Sequence, residues 1–254
     1  MRYFEPSKGS LYFTFMGVPT VIRPSSWIVL LLLGSGGFSA SVNLQNMLIF
    51  VAAGMLCLLM HEYGHAFSCR ALGGGQPKVE IASLGGVTSY TSPPPTRARN
   101  VIVLLAGPGA SILMGVLAAV LLALHVGVSI PKCIVFAMTL PLPFDMPDEL
   151  VRLCYLPAAE AIMQSGMSNF ASQCYHVTFF VSVWWSLFNL LPIFPLDGGQ
   201  TLYQLTGNHR LTGIVGTVVA ALLAYWSLCE GMIYTLLLCG WFVWINLKIA
   251  KTTD

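Results

Sequence analysis

The sequence of 254 residues predicts an all-α polytopic membrane protein, with about six transmembrane helices, a small β-hairpin after the second, and both termini in the cytosol. Three observations predict it. Hydrophobic residues make up 56% of the chain and charged residues 9%, with a mean hydropathy of +0.76, whereas a soluble domain carries about 25% charged residues. Apolar stretches close to the roughly 20 residues that cross a bilayer recur along the chain. Basic residues gather in alternate connections between those stretches. The same composition excludes a disordered chain. A net charge of +2, from 12 Lys+Arg against 10 Asp+Glu, is too small for a nucleic-acid footprint, so no nucleic-acid partner is expected.

The first span, 21–38, is interrupted by Gly34, Gly36 and Gly37, but Ser26-Trp27 leads into an unbroken apolar run at 28–33. The second runs over 44–60, and helix-compatible residues continue to Leu72, where Gly73-Gly74-Gly75 end it. Next, Lys78-Val79-Glu80-Ile81 and Gly86-Val87-Thr88-Ser89-Tyr90 have strand composition around Gly85-Gly86, which predicts a hairpin within 76–90. Pro93-Pro94-Pro95 marks a stiff loop before the third span at 101–126. The following segment of about 45 residues is too short for an independent domain. Its Pro141, Pro143 and Pro147 read as irregular structure, with a short helix from Asp148. The fourth span is 174–191, the fifth 214–228 and the sixth 232–249, the last two joined by a tight turn at Glu230-Gly231. No repeat or low-complexity tract breaks the chain. One membrane-embedded domain over 1–254 is expected, with a core at 17–200 and a C-terminal helical pair at 201–254.

Orientation follows from the basic residues. With the N-terminus in the cytosol, Arg2, Lys8, Arg23, Arg70, Lys78, Arg97, Arg99, Arg210, Lys248 and Lys251 are cytosolic. Lys132 and Arg152 alone lie outside, beside Asp145, Asp148, Glu149 and Glu160. The N-terminal segment lacks the basic region, apolar core and small-residue site of a cleaved signal peptide. The seven cysteines form no CxxC pair. Cys133, Cys154 and Cys174 share the outer segment and can pair only if it faces an oxidising compartment.

The chemistry concentrates at His61-Glu62-Tyr63-Gly64-His65 in the second span. Residues four apart on an α-helix lie about 40° apart in azimuth and one turn along, so both imidazoles can bind one ion. Glu62 then stands next to the metal without being needed as a ligand, which suits the general base for an activated water. Such groups are costly within a bilayer and are rare there unless used; the bland alternative is a polar cluster satisfying neighbouring helices.

A tetrahedral catalytic zinc takes three protein ligands and keeps one position open. His125 and His176 lie near the outer ends of spans three and four and suit interfacial hydrogen bonding. His209 sits in a polar loop. Asp197 remains, in the run Asn189-Leu190-Leu191-Pro192-Ile193-Phe194-Pro195-Leu196-Asp197-Gly198-Gly199. From Met47 to His61 a helix climbs about 21 Å, which places the histidine pair in the cytosolic half of a core of about 30 Å. Span four runs from outside to inside, so Asp197 arrives at a compatible depth. Helix capping ahead of the two glycines is the alternative role for Asp197.

With these motifs, HEYGH at 61–65, NxxPxxPLDG at 189–198 and Gly107-Pro108 in the third span, the sequence resembles the site-2 protease family of intramembrane zinc metalloproteases. The resemblance covers about residues 17–200. It implies one zinc ion held by His61, His65 and Asp197, with Glu62 as catalytic base and Asn189 near the substrate backbone or oxyanion. Many relatives carry an Asn after Gly-Pro where this chain has Gly109-Ala110-Ser111, a departure that touches no proposed ligand. The helices at 214–249 lie outside the shared core.

The resemblance implies peptide hydrolysis within or near the membrane segments of a membrane-anchored protein substrate, in a multi-pass protein of a bacterial-type cytoplasmic membrane. A polar cavity must admit water, and the substrate helix must unwind locally because its hydrogen bonds shield the carbonyls. An edge of the hairpin at 76–90 offers strand addition to the unwound segment; plugging the cavity is its other use. No sensing extension is evident in the sequence, so control is expected from separate regulatory membrane proteins or substrate trimming. The alternative from another class is a metal-ion or solute carrier using the same ligands, which needs more polar residues along its spans than spans three, five and six offer. A scaffold with a structural zinc has no use for Glu62.

Overall fold

The computed structural model describes residues 4–35, 43–83, 85–138 and 147–252. It begins with two strands that the sequence pattern did not announce. β1 (Leu11–Phe15) and β2 (Val18–Ile22) pair antiparallel, with Leu11 opposite Ile22 and Phe15 opposite Val18. Met16 and Gly17 join them with φ of 46° and 80°, the double left-handed geometry that matches the twist of a hairpin. β2 then runs parallel to β3 (Pro77–Ala82), with Thr20 opposite Val79 and Ile22 opposite Ile81. β4 (Gly85–Tyr90) completes a sheet of order β1-β2-β3-β4. The expected hairpin is therefore present as β3–β4, enlarged by two N-terminal strands. Val18, Val21, Ile22, Val79 and Ile81 of β2 and β3 are buried.

Between the two halves of the sheet come α1 (Pro24–Gly34) and α2 (Leu44–Ala71). Proline at the start of α1 costs nothing because the first N–H groups of a helix have no partner within it. α1 has 11 residues, about 16 Å of helix; residues 36–42, into which the first expected span extends, lie outside the described residues. α2 has 28 residues without a break, as the run from Leu44 to Leu72 predicts, and Gly73 takes the left-handed φ of 83° that stops it. α3 (Arg97–Val126) follows with 30 residues.

The segment expected to be irregular apart from a short helix from Asp148 has that helix and is otherwise also largely helical where it is described. α4 (Ile130–Met138), α5 (Asp148–Leu150), a π-helical turn (Val151–Tyr155) and α6 (Leu156–Gln164) occupy it. Pro147 immediately precedes α5 and Pro157 sits in the first turn of α6, positions where a missing N–H is tolerated. Pro141 and Pro143 lie outside the described residues. α7 (Asn169–Asn189), α8 (Asp197–Thr206), α9 (His209–Cys229) and α10 (Ile233–Ala250) complete the chain.

Among the described residues, four helices are long and apolar enough to cross a membrane: α2, α3, α9 and α10. The other two expected spans correspond to α1, which is short, and α7, whose 21 residues include Asn169, Gln173, His176 and Thr178. Leu113, Leu117, Leu121 and Leu124 form an exposed stripe on α3, and Ile214, Val218 and Leu222 do so on α9. Many buried positions instead hold small residues, among them Ala118, Ala119, Ser111, Ser182, Ser186 and Ala220. Large apolar side chains outside and small ones inside is the arrangement of helices solvated by lipid. The protein is an integral membrane protein.

The chain divides into two compact units, one of 1–63, 78–88 and 109–185, the other of 64–77, 89–108 and 186–254. The division falls within α2, α3 and α7, each of which contributes to both. In the first unit the Thr20 and Tyr63 hydroxyls meet at 2.9 Å, tying β2 to α2, and Phe179 packs with Ala119. In the second, Ile193, Ala220 and Phe242 form the core. All seven cysteines are free thiols, so Cys133, Cys154 and Cys174 form no disulfide.

Candidate metal centre

α2 presents His61, Glu62 and His65 in its second half, and all three are buried, at 3%, 5% and 7% exposure. Hydrogen bonds compensate the burial of His65 and Glu62. His65 Nδ1 lies 2.7 Å from the carbonyl oxygen of Val103 on α3. A carbonyl only accepts, so Nδ1 carries the proton and the lone pair is left on Nε2. This is the arrangement in which an outer hydrogen bond fixes the tautomer and aim of a metal-binding imidazole. The ring fits there because α3 has Gly107 at that point: a Cβ on Gly107 would collide with Nε2 and Cε1 of His65. Gly64 allows the same close approach from α2, since its own Cβ would collide with the backbone of Ala106. Two glycines of the sequence motifs are thus explained by one helix crossing.

Asp197 is the first residue of α8, 8% exposed. The unpaired N–H groups and positive dipole end of a helix favour a carboxylate at this position. Its Oδ2 lies 3.4 Å from His65 Nε2. α2 is unbroken through this region, so His61 is carried one turn before His65. One ligand atom from each of His61, His65 and Asp197 lies within 4.8 Å of the others. Two ligands bound tetrahedrally to zinc at about 2.0–2.2 Å stand about 3.3–3.5 Å apart, which is the His65–Asp197 separation. Two imidazoles and a carboxylate, one imidazole already locked in the ligating tautomer, fit a zinc ion.

Glu62 is held by β4. Thr88 Oγ1 on β4 lies 2.7 Å from Glu62 Oε2 and 3.0 Å from the Glu62 carbonyl oxygen, and donates its proton to this pair of acceptors. Gly86, two residues earlier on the same strand face, lies so close that a Cβ there would run into the Glu62 carboxylate. Tyr90 continues the face. Burial pushes its phenol up, and the negative charges of Cys69 and Asp197 add to that shift. The sequence placed these residues on a strand but assigned them no contact. The available signal was the period of two, which sets Gly86, Thr88 and Tyr90 on one face.

Asn189 ends α7 and stands half-buried at the start of the loop that leads to Asp197. The remaining histidines are placed elsewhere. His125 faces the Tyr175 ring at 6.5 Å, His176 faces Phe136 at 6.3 Å, and His209 stacks on Tyr203 at 4.0 Å.

The chain is similar to known proteins in family and in fold. Residues 49–226 match the model of peptidase family M50. Over 265 aligned residues the chain is 25% identical to a Synechocystis sp. protein named "Putative zinc metalloprotease sll0528", covering 94% of this chain and 57% of the relative. The chain therefore spans little more than half the length of that curated relative. Among solved structures it resembles the site-2 protease from Methanocaldococcus jannaschii, with a TM-score of 0.54 and 16% identity, covering 96% of this chain and 97% of the other. That likeness is one of fold.

Proposed function

The chain belongs to peptidase family M50, and we propose that it is an intramembrane zinc endopeptidase that hydrolyses peptide bonds within or near the transmembrane segments of membrane-anchored proteins. The observation that carries the reading is the gathering of His61 and His65, on the apolar helix α2, with Asp197 at the start of α8, and a buried glutamate between the two histidines. In this reading those three residues hold one zinc ion. When bound, zinc acts as a Lewis acid that polarises a peptide carbonyl and makes water acidic near neutral pH.

The protein's own groups do the rest. Glu62 takes the proton of the attacking water and passes it to the leaving amine. Thr88, by bonding one carboxylate oxygen, fixes which oxygen of Glu62 faces the reaction. His65 keeps its aim through Val103, and burial of the whole group excludes bulk water that would screen it. Asn189, at the mouth of the loop, contacts the substrate backbone or its developing oxyanion. β4 ends the sheet order, so its outer edge is placed to receive an unwound substrate segment by strand addition. The protein lies in a bacterial-type cytoplasmic membrane, crossing it six times with both termini in the cytosol. The concentration of basic residues in alternate connections supports this placement. Regulation comes from separate membrane proteins.

Reconstituted with a single-span helical substrate, the protein is expected to cleave it, to stop when a strong chelator removes the metal, and to recover on addition of zinc. Cleavage that persists in protein shown by elemental analysis to be metal-free would refute the proposal. A second expectation concerns Gly86. In Gly86→Ala the new methyl displaces the Glu62 carboxylate, and a misplacement on the ångström scale costs up to about 100-fold in rate. Turnover is expected to fall by about 10- to 100-fold while zinc content stays at the wild-type level, read by steady-state kinetics and metal analysis on one preparation.

A further inference from the structure

We infer that Asn246, on the last helix, is a positioning residue for the metal centre, acting through the loop that carries Asp197. This rests on the reading of Asp197 as a zinc ligand. Asn246 is fully buried in α10, where an amide is out of place unless its bonds are made. Two of its three go to one residue of the loop, Phe194. Its Oδ1 accepts from the Phe194 N–H at 3.1 Å, and its Nδ2 donates to the Phe194 carbonyl at 2.8 Å and to the Phe242 carbonyl at 2.9 Å. The partners settle the amide's orientation, since two carbonyls require a donor and an N–H requires an acceptor.

One side chain thus holds both polar groups of a single residue, as a neighbouring strand would. That residue stands three positions before Asp197. Between them the loop is fixed further, by Leu196 N–H donating to the Ile193 carbonyl at 2.8 Å and by Gln200 Nε2 donating to the Pro195 carbonyl at 2.9 Å. The fourth contact is one of space. α9 carries Gly216 against the amide, and a Cβ there would collide with Asn246 Oδ1. α9 is therefore shaped to let α10 reach the loop, which gives the C-terminal helical pair a role: it clamps the start of α8 and so the Asp197 carboxylate.

The competing role is purely structural, a satisfied polar group that steadies α10 against its neighbours. The two separate in zinc affinity. In Asn246→Ala the Phe194 peptide loses both partners and the loop gains freedom. The expected result is zinc binding weaker by about 10- to 100-fold, the range seen for residues that orient ligands, with kcat reduced and KM little changed. Faster hydrogen exchange at the Phe194 amide is expected alongside. Cys239→Ala, also fully buried on α10 but outside the clamp, serves as the control. It is expected to lower thermal stability with zinc affinity and kcat unchanged. Asn246→Ala that melts lower but binds zinc and turns over like wild type would overturn the inference, as would equal losses of affinity in both variants. If wild-type protein itself binds no zinc, the reading of the site fails instead.

Discussion

Glu62→Gln is expected to bind zinc as wild type does and to lose peptide hydrolysis by about 100- to 10,000-fold, the usual contribution of a positioned general base. The substitution is nearly isosteric. Its amide oxygen can still accept the Thr88 hydroxyl that lies 2.7 Å from Oε2 in the wild-type protein, so the β4 contact survives. Glu62 is not among the three residues that gather their ligand atoms, so removing its charge leaves the donor set intact. What the amide cannot do is take a proton from water at neutral pH. Single-turnover cleavage of a membrane-helix substrate, with zinc measured on the same sample, reads both outcomes. Equal turnover would refute the peptidase reading. Zinc flux through sealed vesicles that survives the substitution would favour a carrier.

The histidine pair was legible because its information is local. The i, i+4 spacing of His61 and His65 needs only an unbroken helix, and α2 supplies one from Leu44 to Ala71. Asp197 was reachable by elimination, with few acidic or imidazole groups at suitable depth. Thr88 and Asn246 were not reachable in that way. Thr88 is an ordinary strand residue until β4 is laid against α2. Asn246 is a lone amide in an apolar helix, and its partner Phe194 is 52 residues away in the sequence. The same distinction explains the strands. β3 alternates between buried and half-buried residues, so its composition reads as a strand, whereas every residue of β1 is exposed and offers no period. The turn that follows has Met16 at a left-handed position usually filled by Asn, Asp or Gly. In the outer segment the short helix from Asp148 was legible after Pro147, which stands at its N-terminal cap, whereas the longer helical run that follows it, with Pro157 in the first turn of α6, was not.

Asp197→Ala is expected to lose zinc with the fold retained, and with zinc all hydrolysis. The second half of that statement needs the first. Asp197 opens α8, so its charge also serves the helix, by about 0.3–1 kcal/mol for an acidic residue at an N-terminus. Against a domain stability of about 5–15 kcal/mol, losing that is minor, and the melting temperature of metal-free protein is expected to move by only a few degrees. Metal binding responds on a different scale. Removing one ligand of three should exceed the roughly 10- to 100-fold effect of changing an outer partner, so affinity is expected to fall by more than about 100-fold. Asp197→Ser separates the two roles of the carboxylate. Serine is a small polar residue that the first turn of a helix accommodates but is a poor zinc donor, so a residue needed only to begin α8 would tolerate it with metal content unchanged. A zinc ligand would not, and Asp197→Ser should resemble Asp197→Ala in the metal assay while melting close to wild-type apoprotein. Full zinc occupancy in Asp197→Ala would show that the third ligand lies elsewhere and that the 3.4 Å approach of His65 to Asp197 is a simple ion pair.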